Sequence, residues 1–381
     1  MLRYSILTIF LGFSLLAGAQ DWKVVRENPQ KAFPKTVAAG NYSGIAHLHD
    51  DIYAVVSDKS DSALYFNFRI QVNPKTGEPE QVENLGFTER IDGTLNDGKP
   101  WQGLEKGFDH EAIVKVSDST LVIASEGYCR LKEFPILPTS ADAAKVGYQQ
   151  NLWESRWPSA DFYPNYNFES LAFDSARQYL WTIPESTLRK DGQPATPQNG
   201  LGNQLRLMRF DWGKMKENRN KEAYSEQVSS KKDSRYMTTY AYQMDQPSTH
   251  KKADIYVMGV SELCALPDGQ LLVLEREAFI PKIKIGAFCK CKLYLVNPLN
   301  SENFSMKENI SSDTPFLKKK LLTEWKTGLS LSKRSFANYE GMCLGPKLED
   351  GSQVVILLSD SQDQYAGVLK DWFKTIVIRK E

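Results

Sequence analysis

Short apolar runs separated by turn residues recur along most of the chain. Leu121 to Ala124, Leu271 to Leu274 and Val354 to Leu358 are runs of this kind, rich in residues that favour strands. Pro267-Asp268-Gly269 and Glu349-Asp350-Gly351 lie between neighbouring runs and are typical of tight turns. The pattern therefore predicts β-hairpins.

The hairpins belong to a motif that occurs five times. Each copy has a polar or aromatic lead-in, an acidic residue, an apolar run, a turn, a second apolar run and a second acidic residue. The copies begin at Asn41, Asp109, Asn167, Val260 and Asn338, and they end at Asp58, Glu126, Glu185, Glu275 and Asp360. In the first copy, Ser43 stands where the later copies have Glu111, Glu169, Glu262 and Glu340.

A third strand-like stretch follows four of the hairpins. These stretches are Leu64 to Phe68, Gln204 to Phe210, Lys292 to Val296 and Thr375 to Ile378. Repeated units of three or more short antiparallel strands predict an all-β fold, a β-propeller of about five to seven blades with long inter-strand inserts. A series of β-sandwiches is the alternative. Within the inserts, we expect one short helix between Ala141 and Arg156.

The N-terminus has the pattern of a signal peptide. Arg3 precedes an apolar run from Ser5 to Leu16, and the small residues Ala17-Gly18-Ala19 follow it. We expect residues 1–19 to be removed by cleavage near Ala19, so that residues 20–381 form a single secreted or periplasmic domain. An uncleaved N-terminal anchor is the alternative. No later stretch of about 20 apolar residues predicts a membrane span.

Charge and cysteine content narrow the choice of partner. The 47 basic residues balance 47 acidic residues, so there is no electrostatic reason to expect nucleic acid or an anionic membrane as partner. The oligomeric state stays open. The cysteines are Cys129, Cys264, Cys289, Cys291 and Cys343. We interpret them as structural, with one unassigned disulfide allowed.

The acidic residues of each motif copy flank its hairpin, so antiparallel pairing brings them together at the open end. If all hairpins have the same orientation, nine carboxylates converge around a central channel. They are Asp58, Glu111, Glu126, Glu169, Glu185, Glu262, Glu275, Glu340 and Asp360. Mutual repulsion predicts a divalent metal among them, and Ca²⁺ suits a flexible set of oxygen ligands. Alternatively, the acids accept hydrogen bonds from backbone N–H groups and lock the blades together.

Basic residues and one histidine lie close to these acids in sequence. We expect the basic residues to pair with the acids or to bind an anionic substrate. They are Lys59, Arg130, Arg189 and Arg276. His110 and Glu111 are weak candidates for acid–base catalysis, whereas His47 and His49 are interpreted as surface residues.

The order and spacing of the five copies resemble those of the phytase-like family, known as "esterase-like activity of phytase". The resemblance covers roughly residues 37 to 379. It is carried by Ser43-Gly44-Ile45 to Ser57-Asp58, His110-Glu111-Ala112 to Ser125-Glu126, Asn167-Phe168-Glu169 to Pro184-Glu185, Ser261-Glu262-Leu263 to Leu274-Glu275-Arg276, and Asn338-Tyr339-Glu340-Gly341 to Ser359-Asp360. It implies an exported β-propeller-like protein that hydrolyses phosphate or other esters with a metal and takes a small anionic ester as substrate.

Two further functions stay open beside a phosphoric ester hydrolase. One is a non-catalytic binding propeller whose acids are structural, and the other is a lactonase-like hydrolase of carboxylic esters with a central cation. The chain has no Gly-x-Ser-x-Gly sequence, no Arg-His-Gly sequence and no Cys with an Arg six residues later. These absences argue against an α/β-hydrolase and against two covalent phosphatase mechanisms.

Overall fold

The computed structural model describes residues 21–60, 64–88, 109–136, 152–219, 234–330, 334–362 and 369–381. The predicted signal peptide and residues 141–151 of the predicted helix lie outside these ranges. Residues 154–156 form a strand, so the helix prediction was wrong at that end. The backbone of these residues pairs with the preceding strand through a regular antiparallel ladder.

The described residues form five antiparallel sheets. Sheet I contains β3 (Tyr42–His49), β4 (Ile52–Ser57), β5 (Tyr65–Val72) and β6 (Pro79–Thr88). Sheet II contains β7 (His110–Lys115), β8 (Thr120–Ser125), β9 (Arg130–Pro135) and β10 (Glu154–Arg156). Sheet III contains β11 (Ala172–Asp174), β12 (Tyr179–Thr182), β13 (Gln204–Asp211) and β14 (Met237–Gln243). Helix α1 (Trp212–Arg219) follows β13.

The last two sheets complete the fold. Sheet IV contains β15 (Ile255–Ala265), β16 (Leu271–Ile280), β17 (Phe288–Val296) and β18 (Lys319–Gly328). Sheet V contains β19 (Asn338–Lys347), β20 (Gln353–Asp360), β21 (Trp372–Lys380) and, as its outermost strand, β1 (Trp22–Glu27). The short strand β2 (Lys31–Ala32) also pairs with β21. Sheet V therefore joins the two ends of the described chain.

The sheets follow one another around a closed ring. The innermost strand of each sheet contacts those of its two neighbours, in the order β3, β7, β11, β15, β19 and back to β3. An apolar layer fills the space between each pair of neighbouring sheets. This arrangement is a β-propeller, which confirms the predicted fold class, and the five sheets coincide with the five copies of the motif.

The second strand of each sheet is almost entirely buried because other strands or sheets cover it on all sides. All eight residues of β20 are buried, for example. The predicted turns are also confirmed: Gly269 (φ 89°) and Gly351 (φ 80°) adopt left-handed conformations that favour glycine. The outermost strand of each sheet was not predicted, because those strands are more polar and partly exposed. Strand β18 is an example.

All five cysteines are buried and carry free thiols. Buried free thiols agree with the structural role that the sequence predicted for these cysteines. The disulfide that the sequence allowed is not formed. Cys289 and Cys291 lie on the same face of β17, with their Sγ atoms 3.7 Å apart. No helix in the described part of the chain is long and apolar enough to cross a membrane.

Candidate functional site

One extra residue interrupts the inner hairpin of each sheet at an equivalent place. In sheet I, Tyr42 pairs with Ser57 and Gly44 pairs with Val56, so Ser43 is left as a β-bulge. The pairing of the other inner strands places a bulge at Glu111, Glu169, Ser261 and Glu340. A bulge redirects its own side chain, so these five residues share one position at the open end of their hairpins.

The second strand of each hairpin contributes a partner position. In sheet I, for example, Ser57 pairs with Tyr42, the residue before the bulge, and the residue directly after Ser57 occupies the partner position. These residues are Asp58, Glu126, Glu185, Arg276 and Asp360. In sheet IV the register therefore differs by one residue from the sequence alignment, because Ser261 and Arg276 occupy the positions that we had given to Glu262 and Glu275.

Arg276 consequently points at the acids of the other sheets. Its side chain is 5% exposed, and Nη2 lies 3.0 Å from Glu169 Oε2 and 2.6 Å from Glu185 Oε1. Nη1 donates to Glu340 and, at 2.9 Å, to Asn338 Oδ1. Burial alone would lower the pKa of Arg276, but the three carboxylates raise it well above its usual value. This guanidinium is a permanent internal cation.

Three carboxylates lie together beside this cluster. One side-chain oxygen from each of Asp58, Asp109 and Glu111 falls within 4.8 Å of the other two. We call these residues the acidic trio. Asp109 also makes hydrogen-bonding contacts with Glu111 and Glu126, and Glu126 Oε1 is buried without a hydrogen-bond partner among the described residues. The trio has the oxygen donors that a hard cation requires.

The carboxylates around the axis form a larger group, which we call the carboxylate ring. Its members are Asp58, Asp109, Glu111, Glu126, Glu169, Glu185, Glu340 and Asp360. Burial and then the neighbouring acids raise the pKa of Glu111 and of Asp360 well above the usual range. The same causes raise the pKa of Glu126 to about 7. The ring therefore attracts protons or cations.

Lys59 and Gln362 lie at the edge of the ring. Lys59 Nζ is 3.8 Å from Asp58 Oδ2, and it acts electrostatically on Asp109, Glu340 and Asp360. The backbone N–H of Gln362 donates to Asp360 Oδ1 at 2.8 Å. With eight carboxylates against Arg276 and Lys59, the formal charge of the group is −6.

Glu262 has a different environment from the ring acids. Its Oε1 accepts hydrogen bonds of 2.9 Å from the backbone N–H groups of Leu171 and Leu263, and the backbone of Met342 is a third donor. Leu263 and Met342 lie in the inner strands of sheets IV and V, and Leu171 directly precedes the inner strand of sheet III, so the carboxyl joins three neighbouring sheets. Burial raises its pKa well above the usual range. This is the blade-locking arrangement that the sequence left as an alternative.

Glu275 lies on the face of β16 opposite to Arg276, because successive side chains of a strand alternate. Tyr242 donates to its Oε1 at 2.7 Å, and Lys319 Nζ lies at the same distance. Burial raises the pKa of Glu275. The structure thus places both Glu262 and Glu275 away from the carboxylate ring.

Two of the predicted substrate-binding arginines have other partners. The Arg130 guanidinium stacks on Tyr128 at 4.6 Å and lies 3.7 Å from Glu154. Arg189 stacks on Tyr163 at 4.5 Å and donates to the carbonyl of Phe162 at 2.7 Å. Of the four predicted basic residues, the structure brings Lys59 and Arg276 to the ring.

His110 is next to Glu111 in sequence, but its imidazole is buried. Burial and the nearby Arg130 lower the pKa of His110 to about 3, so its imidazole is neutral at physiological pH. Its side chain cannot supply a proton there as an imidazolium. The predicted catalytic role of His110 therefore gains no support from this geometry.

Asp109 and Asn338 are site residues that were not predicted. Both occupy the first position of their motif copies, which is also the position of Asn41 and Asn167. Asn41 and Asp109 adopt left-handed backbone conformations (φ 47° and 50°) that Asn and Asp tolerate better than most residues. The shared polar lead-in was the sequence signal that could have identified them.

A cavity with a volume of 710 Å³ opens beside Arg276. Its charged end includes Lys59, Glu169, Glu185, Arg276 and Glu340. The remaining wall is predominantly apolar and comes largely from sheet IV and the loop that follows β16. A ligand larger than an ion can therefore reach the carboxylate ring.

Comparison with protein families gives a match over residues 37–362, to the family described as phytase-like, "esterase-like activity of phytase". This chain belongs to the phytase-like family. The match spans all five inner hairpins and their ring positions. Comparison with curated proteins finds no significant match.

Similar solved structures include two lyases and the Dos1 propeller. A streptogramin B lyase has 9% identity, with 93% of this chain and 98% of the lyase covered and a TM-score of 0.33. Virginiamycin B lyase from Staphylococcus aureus has 9% identity, coverages of 93% and 99%, and a TM-score of 0.32. The Dos1 propeller has 11% identity, coverages of 88% and 68%, and a TM-score of 0.29. These scores are low, and the propeller fold is shown by the five sheets and the contacts between their innermost strands.

Proposed function

We propose that this phytase-like protein is an exported, metal-dependent ester hydrolase, with phosphoric esters as its substrates. The observation that carries the proposal is the acidic trio, in which Glu111 is buried, Asp58 and Asp109 are half-buried, and one oxygen of each residue lies within 4.8 Å of the others. The unpartnered Glu126 Oε1 beside it is a further oxygen donor. One divalent ion does not neutralise a formal charge of −6, so bound protons or a second cation would supply the remaining positive charge.

The donor set fits Ca²⁺, which takes six to eight oxygen ligands. Asp58, Asp109, Glu111 and Glu126 would hold the ion. When bound, a cation of this kind polarises a phosphoryl oxygen and lowers the pKa of a bound water. Arg276 would keep Glu169, Glu185 and Glu340 in fixed positions, and Lys59 would attract the anionic group of the substrate.

The test is hydrolysis of an aryl phosphate and an aryl acetate by the mature protein, with Ca²⁺ and with a chelator. We expect Ca²⁺-dependent turnover of the phosphate, and a Glu111→Gln loss of about 100-fold or more, because a ligand should matter at least as much as its supporting partners. Glu324→Gln on the outer strand β18 is the matched control. Equal turnover with chelator, or an unaffected Glu111→Gln variant, would exclude the metal mechanism. Faster hydrolysis of the acetate would favour the lactonase-like alternative.

A non-catalytic binding propeller is the second candidate. It is favoured by Glu262, whose carboxyl accepts backbone hydrogen bonds from Leu171, directly before β11, and from Leu263 in β15. Ca²⁺-induced stabilisation without turnover of either ester would support it. Stabilisation of about 2.7 kcal/mol is expected at a free Ca²⁺ concentration one hundred times the dissociation constant.

Export is part of the proposal and is tested separately. N-terminal sequencing of protein recovered outside the cytoplasm should begin near Gln20. A first residue of Met1 would instead indicate the uncleaved anchor.

A further inference from the structure

The cavity beside Arg276 combines a charged end with an apolar wall on one continuous strand face. In the hairpin of β15 and β16, Gly259 pairs with Arg276, Val257 with Ala278, and Ile255 with Ile280. These pairs are two residues apart, so their side chains lie on the same face. All of them except Gly259 line the cavity. The face runs from the guanidinium to two successive apolar layers.

The loop after β16 extends this wall into solvent. Ile283 is 80% exposed, and Ile285 and Ile255 are each 50% exposed. These three isoleucines line the cavity, whereas the other exposed large apolar residues in the described ranges (Val25, Leu85, Leu201 and Leu321) do not. A cluster of exposed isoleucines at a cavity is typical of a binding surface.

We propose that this wall binds the apolar chain of an amphiphilic ester, whose anionic group lies at the charged end beside Arg276 and Lys59. The inference rests on the proposed function for the chemistry of that group. A bare phosphate would fill only a small part of 710 Å³, which lies within the usual range of organic ligand pockets. A purely polar polyol phosphate would leave the isoleucines without apolar partners.

The length of the ligand's alkyl chain tests this assignment. Burial of each CH₂ contributes about 0.8 kcal/mol, which corresponds to a factor of about four in the dissociation constant. Affinity should therefore rise from methylphosphonate to butylphosphonate to octylphosphonate, by up to about fourfold per CH₂. It should level off when the chain extends beyond the wall.

The experiment is isothermal titration of the mature protein with these three phosphonates in the presence of Ca²⁺. The Ile283→Ser/Ile285→Ser variant should bind octylphosphonate at least about tenfold more weakly and methylphosphonate almost unchanged. Leu201→Ser is the matched control, because Leu201 is also exposed but lies away from the cavity. Equal affinity for all three phosphonates, or an equal loss in the control, would overturn the inference.

Two further measurements separate the alternatives for the occupant. Tighter binding of octyltrimethylammonium than of octylphosphonate would overturn the anionic assignment. A dimer in light scattering that the double serine variant converts to a monomer would show that a second copy covers the wall, and would also overturn it.

Turnover distinguishes failure of this inference from failure of the proposed function. If the protein hydrolyses methyl and octyl p-nitrophenyl phosphate with the same kcat/KM, the hydrolase proposal stands and the apolar site does not. If neither ester is hydrolysed but phosphonate affinity still rises with chain length, the binding site stands and the hydrolase proposal does not.

Discussion

Arg276 determines the charge balance of one half of the site. It occupies the position that is acidic in the other four hairpins, and it contacts Glu169, Glu185 and Glu340. A buried charge is costly unless it is paired. Each of these acids depends on the same guanidinium, so its loss would leave the buried Glu169 and Glu185 and the largely buried Glu340 without their cation.

We expect Arg276→Gln to lower the free energy of unfolding at pH 7 by about 3–5 kcal/mol, as is typical when one partner of a buried ion pair is removed. Urea denaturation measures this. The stability of Arg276→Lys should lie between those of the parent protein and Arg276→Gln, because an ammonium keeps the charge but cannot form the same planar fork. As the control, Arg69→Gln removes a half-exposed pair with Glu83 and should cost about 1 kcal/mol at most. Similar losses in both variants would contradict this account.

The acids at the other side of the ring make the stability of the metal-free protein depend on pH. The pKa of Glu126 rises from 4.5 to about 7 on folding, so the folded state binds more protons than the unfolded state between these values. The metal-free protein should therefore lose stability as the pH rises from about 4.5 to about 7. Melting temperatures across this range, in the presence of a chelator, measure the effect.

Glu126→Gln should flatten this pH dependence, because the amide does not titrate. Added Ca²⁺ should also raise the melting temperature of the variant less than that of the parent protein. A melting temperature that rises from pH 5 to pH 7 in the chelator would contradict the raised pKa.

At the scale of the element, the hairpin of β15 and β16 connects the ring to the cavity. Gly259 lies where this hairpin meets sheet III, and Val260 N–H donates to the carbonyl of Glu185 at 3.2 Å. A Cβ atom on Gly259 would lie 2.3 Å from Glu185 Cγ and 2.5 Å from its carbonyl oxygen. The absence of a side chain here allows Glu185 to approach Arg276.

Gly259→Ala should therefore displace Glu185 and destabilise the protein by about 1–3 kcal/mol, the usual cost of overpacking. Gly213→Ala is the control, because its nearest neighbour would be 3.4 Å away and alanine favours the helix there. Chemical denaturation of both variants measures the difference. If Gly259→Ala leaves the free energy of unfolding unchanged, sheets III and IV can move apart at little cost.

At the scale of the molecule, the ring is closed by sheet V. Strand β1 pairs with β21 from Trp22↔Lys380 to Glu27↔Ile376, and Trp22 packs in the apolar layer between sheets IV and V. The N-terminal strand thus holds the C-terminal strand in place and covers its edge. An uncovered edge strand is a site of self-association.

A chain that begins at Asn28 should therefore melt at least about 4 °C below one that begins at Gln20, because it loses this pairing and the buried Trp22. It should also associate with itself in light scattering, since the edge of β21 from Ile376 to Lys380 is then uncovered. Equal melting temperatures and a monomeric short chain would show that β1 is dispensable for closure.

The sequence by itself determined the hairpins, the five motif copies, the propeller and most of the ring acids. These features follow from local alternation, from turn residues such as Gly269 and Gly351, and from a motif that repeats. The outermost strands were missed because their polar side chains resemble those of loops. Asp109 and Asn338 were missed because a polar lead-in is also common in turns.

Only the tertiary structure decided which side chains of the fourth copy face the axis. Spacing alone aligned Glu262 and Glu275 with the other acids, but a bulge at Ser261 moves the register by one residue. A shift of one residue exchanges the two faces of a strand, so Arg276 enters the ring while Glu275 turns away. The apolar wall was likewise invisible in the sequence, because its isoleucines meet the ring only after the hairpin has folded against its neighbours.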